Sequence, residues 1–257
     1  MLEHVSVINH LWKTSALLRY LDKPLNEVAK DDLRTFLEMV RQNYPLSTYS
    51  GFIEAIRRLF RDFLGKRELA TFRFPTIPFT PKMLNFNKED LQRFYYAIEH
   101  KLVRMMFHMY CVSGLRRNDV MFLGLSELNR ETRMIVKNNN SSTKHRWITF
   151  YNAELEEFLH KYIDSRNDSN PRVFVVDRTK TFQKYWKLAQ KKAKLSITPK
   201  DLRDWFCVEM TDLGALDRYI DAFCGRVPKS ILARHYTDYS PERLKRIYDK
   251  ANLRVLS

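Results

Sequence analysis

The sequence predicts a mainly α-helical protein with one small β-sheet, built in two parts. Amphipathic runs with helical spacing dominate both ends of the chain. Near the middle, two short alternating runs flank a polar turn. A proline cluster separates the first part from the second.

Taken in order, residues 1–70 read as all-helical. "SALLRYLDKPLNEVAKDDLRTFLEMVRQNY" places Leu33, Phe36, Leu37 and Val40 at i, i+3, i+4 and i+7, one apolar stripe. Pro24 suits a helix start, and Pro45 breaks the chain after the next helix. In "STYSGFIEAIRRLFRDFLGKRE", Ile53, Ile56, Leu59, Phe60 and Phe63 form the apolar set, with Gly65 a C-terminal stop. Arg57, Arg58 and Arg61 fall on its polar side as candidate binding residues. Residues 71–84 hold Pro75, Pro78 and Pro81, which suits neither a helix nor a central strand; the expectation is an extended linker.

Residues 85–257 form the second part. "KEDLQRFYYAIEH" and "LVRMMFHMYCVSG" are apolar helices. "TRMIVK" and "HRWITFY" alternate around "NNNSST", the pattern of a β-hairpin. Helices resume at Asn152, with "RVFVV" a possible short strand. No internal repeat, heptad array or low-complexity tract is present.

Composition narrows the partners. The 257 residues, with 44% hydrophobic and 13% aromatic content, can bury a full core. Lys and Arg number 45 against 30 Asp and Glu, a formal +15, which points to a polyanion and to nucleic acid first. No apolar stretch approaches the roughly 20 residues of a membrane span, and no signal peptide opens the chain. Met1 begins almost at once in a helix-like segment, so a longer parent chain stays open. Cys111, Cys207 and Cys224 form no metal or disulfide pattern; buried reduced thiols and an intracellular location are expected.

Phosphate loops and zinc motifs are absent, as is a clustered carboxylate set for two metals. Chemistry on phosphate would then fall to arginine, lysine and a side-chain nucleophile. A guanidinium fork meets two oxygens of one phosphate and keeps its charge. A tyrosine hydroxyl is a usable nucleophile whose phenolate can leave again. A lysine can protonate a departing oxygen.

The residues that carry this chemistry bring a family resemblance. "CVSGLRRNDVMFLGLSEL" resembles the segment around the first catalytic arginine of the tyrosine recombinases, the phage integrase family, with Arg116 as that arginine and Asp119 as its orienting carboxylate. "TRMIVKNNNSSTKHRWITF" resembles the hairpin of the mobile catalytic lysine; Lys144 is the first choice and Lys137 the alternative. "TPKDLRDWF" resembles the H-x-x-R box, with Arg203 the second arginine and Lys200 at the histidine position. "FCGRVPKSILARHYTDYS" resembles the final box, with Arg226 in place of the usual histidine or tryptophan and Tyr236 as nucleophile; Tyr239 is its rival. His145 and His235 read as bystanders, with DNA contact open for His235.

The ordered set Arg116, Lys144, Lys200, Arg203, Arg226, Tyr236 is similar to integrases of archaeal spindle-shaped viruses and related mobile elements. The resemblance implies a helical core-binding domain over residues 1–70 and a mixed α/β catalytic domain over 85–257, closing on double-stranded DNA. It implies a 3′-phosphotyrosyl intermediate, no cofactor (neither ATP nor metal), no membrane, and a homotetramer on two DNA sites that contacts through terminal helices such as "SPERLKRIYDKAN". Two alternatives stay open at this point: relaxation of DNA as by a type IB topoisomerase, and a catalytically silent DNA-binding relative.

Overall fold

Helix-forming runs without interior proline dominate the computed structural model, which describes residues 2–81, 83–137, 147–228 and 230–257. The fold class expected from the sequence, mainly helical with a small sheet, is the one observed. The chain divides into two units, Met1–Lys82 and Met83–Ser257.

The first unit contains α1 (Leu2–Leu21), α2 (Lys30–Asn43) and α3 (Leu46–Ile56). The predicted stripe Leu33, Phe36, Leu37 and Val40 lies buried on α2 and packs with Phe52, Ile53, Ile56 and Phe60. Pro24 opens a turn closed by the Glu27 N–H on its carbonyl (3.0 Å), so the helix start expected there lies instead at Lys30. After α3 the chain widens into π-type turns over Arg57–Phe63. There the Leu64 N–H reaches five residues back, to the Leu59 carbonyl, at 3.0 Å. A wider turn rotates the later apolar positions out of the stripe. Phe63, expected in the core, is accordingly 82% exposed. Gly65 ends the run at φ +72°.

The second unit is organised around α5 (Lys101–Ser113), whose last half is buried on every side. Before it comes α4 (Lys88–Ala97), and after it the short α6 (Arg117–Met121). A three-stranded antiparallel sheet follows: β1 (Leu128–Asn129), β2 (Met134–Lys137) and β3 (Trp147–Phe150), in that order. Ile135 pairs with Thr149 and Lys137 with Trp147, as an antiparallel hairpin requires. Then come α7 (Ala153–Asp164), α8 (Gln183–Ala193), α9 (Pro199–Asp212), α10 (Asp217–Phe223), α11 (Ile231–His235) and α12 (Pro241–Ala251).

"RVFVV" does not form a ladder. It makes one bridge, Arg172 to Gly124, with the Val173 N–H on the Leu123 carbonyl at 2.7 Å. The opposing chain turns into a 3₁₀ segment at Leu125 and offers nothing further to pair with. Phe94, Phe107, Tyr110, Phe182 and Trp186 pack as an aromatic group around α5, α4 and α8. Packing of this kind makes α5 a rigid post from which the loop after it is hung.

Candidate catalytic site

Gly114 closes α5 at φ +63°, a conformation that L side chains avoid. A Cβ at this position would also stand 2.7 Å from the Phe206 ring. The turn delivers Arg116 to the N-cap of α6. Asp119 Oδ2 accepts the Arg116 backbone N–H at 3.2 Å and lies 3.8 Å from its Nη1. The three-residue spacing is therefore a helix N-cap in which one carboxylate fastens and faces the arginine. Arg116 and its neighbour separate cleanly: Arg116 is about half exposed (48%), whereas the Arg117 guanidinium lies over the Phe182 ring at 5.5 Å.

Arg203 sits on α9, started by Thr198 as N-cap and Pro199 at its first position. The side chain points inward and is buried. Nη1 donates to the Gly114 carbonyl at 2.5 Å, and Nη2 donates to the Cys224 carbonyl at 2.8 Å. Gly114 precedes Arg116 by two residues, and Cys224 precedes Arg226 by two. One guanidinium thus ties together the two loops that carry the other arginines. Burial pushes the Arg203 pKa below its ordinary value, and the positive charges of Arg116 and Arg226 push it the same way. Lys200, one turn earlier on the helix, is exposed, whereas Arg203 is buried.

Arg226 follows Gly225, which has φ +60°. A Cβ there would lie 2.6 Å from the Trp147 indole. Trp147 also carries the Arg116 guanidinium over its ring at 5.9 Å. Its Nε1–H is buried and has no hydrogen-bond partner among the described residues. Arg226 Nη1 pairs with Asp221 Oδ1 at 2.9 Å, and Nη2 reaches Cys207 Sγ at 3.5 Å. Burial works against this charge, yet Asp221 and the two nearby thiols outweigh it, so its pKa lies above the usual arginine value.

Tyr236 ends α11, whose N-cap Ser230 accepts the Ala233 N–H at 3.1 Å. Its side chain is 77% exposed. Tyr239 differs: its hydroxyl donates to the Ala233 carbonyl at 2.7 Å, and its ring packs on Tyr219. An occupied, half-buried hydroxyl makes Tyr239 a fastening for α11, while Tyr236 is presented to solvent.

The candidate lysines diverge. Lys144, with His145, lies outside the described residues. Lys137 is buried at the end of β2 and is bound to Glu127 Oε2 at 2.6 Å. In the first unit, Arg57 donates to the Phe72 carbonyl at 2.6 Å and covers Phe74 at 4.2 Å. Arg58 pairs with Glu54 at 3.0 Å and Arg61 with Asp62 at 2.6 Å. All three have partners within the chain.

Sequence reasoning missed Trp147, Asp221 and the approach of Cys207 to Cys224. Buried, separate thiols were expected; instead the two sulfurs are 3.6 Å apart and only Cys224 is fully buried. Asp221 lies five residues before Arg226, past the end of its helix, a separation that helical periodicity does not flag. The Trp147 and cysteine contacts are made by the fold alone. Among the described residues, no helix is long and apolar enough to cross a membrane, and no three His, Cys, Asp or Glu cluster as metal ligands.

Two loops bearing arginines, tied through a third arginine and followed by an exposed tyrosine, make up the candidate site. The model of the phage integrase family matches residues 85–243. The chain belongs to that family: it is a tyrosine recombinase, an enzyme of site-specific DNA breaking and rejoining. It is similar to tyrosine recombinase XerA of Pyrococcus furiosus, 26% identical over 252 residues, covering 93% of this chain and 86% of that protein. In fold it is similar to a lambda integrase tetramer bound to a Holliday junction (TM-score 0.68, 15% identity, 91% of this chain and 71% of that one). It is also similar to XerH site-specific recombinase bound to its difH substrate (TM-score 0.61, 16% identity, 88% and 74%).

Proposed function

We propose that the chain cuts and rejoins double-stranded DNA with Tyr236 as nucleophile. The Tyr236 hydroxyl gives its proton to water as its oxygen attacks the scissile phosphorus, the bond to the 5′ oxygen breaks, and a 3′-phosphotyrosyl link forms. Lys144 gives its proton to the departing 5′ oxygen, with Lys137 the alternative donor. Arg116, Arg203, Arg226 and Lys200 hold the nonbridging oxygens and meet the charge that develops on them. Asp119 orients Arg116. The 5′ hydroxyl of a partner strand then attacks the phosphotyrosine, releasing Tyr236 and restoring the phosphodiester. The bond count is unchanged, so the cycle needs no external energy source.

One observation carries this reading: the buried Arg203 guanidinium binds both arginine-bearing loops while the charges of Arg116 and Arg226 oppose its own. Holding like charges together costs free energy, which an anion placed among them returns. Tyr236, exposed on the following segment, can approach that anion.

Finer features complete the proposal. Residues 1–70 serve as the core-binding domain, 71–84 as the linker and 85–257 as the catalytic domain. Arg57, Arg58 and Arg61 touch the DNA backbone after exchanging their present partners for phosphate. Four copies assemble on two sites, supported by the tetrameric lambda integrase of similar fold. The enzyme works inside the cell of an archaeon, for a virus or mobile element; the basic site pattern and the Pyrococcus relatives support this.

The discriminating experiment compares two reactions of the full chain: strand exchange between two duplexes, and relaxation of one supercoiled circle. The duplexes are tiled across the protein's own gene and the DNA flanking it. Joined products between duplexes are expected. Relaxation without any exchange would instead establish a topoisomerase-like enzyme, and binding without either a silent relative.

A further inference from the structure

Cys207 on α9 and Cys224 at the end of α10 meet beside the Arg226 guanidinium. Their sulfurs stand 3.6 Å apart, and Arg226 Nη2 lies 3.5 Å from Cys207 Sγ. Cys224 is buried and Cys207 only partly so, giving one thiol that solution can reach and one enclosed partner behind it. A hydrogen bond from the Cys224 thiol, aided by Arg226 and Arg203, draws the Cys207 pKa down to about 7. The same hydrogen bond, together with burial, pushes that of Cys224 up. A low-pKa, accessible thiol next to a second thiol is the arrangement found in redox-sensing cysteines. Cys111, the third thiol, is buried and its pKa is pushed up by that burial.

We propose that Cys207 and Cys224 form a peroxide-sensitive dithiol that switches DNA cleavage off when it closes to a disulfide; the switch rests on the recombinase reading of the same site. The Cys207 thiolate attacks one oxygen of hydrogen peroxide. The O–O bond breaks, hydroxide leaves, and the sulfur becomes a sulfenic acid. The Cys224 sulfur then attacks that sulfur, forming the S–S bond as the S–O bond breaks. The departing hydroxide takes the Cys224 thiol proton and leaves as water. Two thiols are oxidised by two electrons, and one peroxide is reduced to two waters. A small thiol reverses the bridge by exchange.

Closure reaches the catalytic groups by a short path. The sulfurs must move from 3.6 Å to about 2.05 Å. Cys224 supplies the carbonyl that seats Arg203 Nη2, and its sulfur is packed against Gly114, where a Cβ would stand 3.0 Å away. The bridge therefore shifts the seat of Arg203. Displacing a phosphate-holding group by about 1 Å lowers cleavage roughly 10–100-fold.

The test uses the full chain, first reduced with dithiothreitol and desalted, then exposed to hydrogen peroxide. One portion goes to peptide mapping. The other is given nicked suicide duplexes tiled across its own gene and flanking DNA, and covalent protein–DNA adduct is read on a denaturing gel. We expect a Cys207–Cys224 bridge and an adduct yield at least tenfold lower, restored by dithiothreitol. Cys207→Ser keeps an acceptor for Arg226; it should cleave within about twofold of wild type and resist peroxide. Cys224→Ala should also form no bridge and should resist peroxide at a given dose, which guards against a folding defect in either variant alone. A map without the bridge, or a bridge with full adduct yield, overturns the switch. Equal loss in Cys207→Ser overturns it too. If the reduced wild type forms no adduct, the catalytic reading falls and takes the switch with it, while the peptide map still decides whether the thiols pair.

Discussion

Changing Gly225 to alanine probes how the Arg226 loop is held. Two separate costs are written into the position. The backbone has φ +60°, where an L residue costs about 1–2 kcal/mol relative to glycine. A Cβ would then lie 2.6 Å from Trp147 Cδ2 and Cε2, atoms of a rigid ring that cannot fold away. Forcing such an overlap costs about 1–3 kcal/mol more. We therefore expect Gly225→Ala to destabilise the second unit by about 2–5 kcal/mol. Replacing Trp147 with leucine clears the overlap and leaves the backbone cost. In a double-mutant cycle, Gly225→Ala should cost about 1–3 kcal/mol less in the Trp147→Leu background. Urea unfolding followed by far-ultraviolet circular dichroism measures all four proteins, and both residues belong to the same unit. Covalent adduct yield should fall roughly 10–100-fold in Gly225→Ala, because Arg226 is the next residue. A cost below about 1 kcal/mol, or a coupling indistinguishable from zero, would refute the placement of Trp147 against this loop.

Three further outcomes are expected. Alkylation of Cys207 by iodoacetamide should be half-maximal near pH 7. The group is a thiol with a lowered pKa, so reactivity rises as pH climbs through that value; Cys224→Ala should move the midpoint up most and Arg226→Gln should also raise it, and unchanged midpoints would contradict the contacts. Glu154 accepts backbone N–H groups of Val255 and Ser257 at 2.8 and 3.0 Å. Burial raises its pKa, but His108, the Val255 N–H and the Ser257 hydroxyl outweigh that and hold it below the carboxylate range. Its stabilisation is thus complete above the ordinary carboxylate pKa of about 4.3 and fades as pH falls below it; wild type and Glu154→Gln should differ in urea midpoint at neutral pH and converge in acid. Lys137→Met should strand Glu127 in a partly buried pair and cost about 3–5 kcal/mol, whereas Lys144→Ala should lower adduct yield with no loss of stability; the reverse pattern would make Lys137 the proton donor.

Local signals explain which features could be read from the chain. Arg116 and Asp119 are three residues apart because a helix N-cap demands it, and a spacing rule of that kind is visible in sequence. The stripe on α2 and the β2–β3 hairpin are local in the same way. Phe63 was misplaced because the π-type turns break the period that the stripe assumes. Lys200 and Arg203 stand one turn apart on α9, yet the fold buries one and leaves the other in solvent. The contacts that hold the site, Trp147 on Gly225 and Arg203 on the Gly114 and Cys224 carbonyls, join segments far apart in the chain. No periodicity records such contacts; only the packed unit creates them. The family resemblance favoured Tyr236 over Tyr239 in sequence, and the structure shows that Tyr239 is the half-buried one with an occupied hydroxyl.

The most direct measurement is of the nucleophile. Wild type, Tyr236→Phe and Tyr239→Phe are incubated without added metal on the tiled nicked duplexes, and the denaturing gel is read for protein shifted by attached DNA. We predict a shifted band in wild type and in Tyr239→Phe, and none in Tyr236→Phe although that variant still binds the DNA. A band that persists in Tyr236→Phe, or that vanishes only in Tyr239→Phe, would contradict the assignment of Tyr236 to the phosphate.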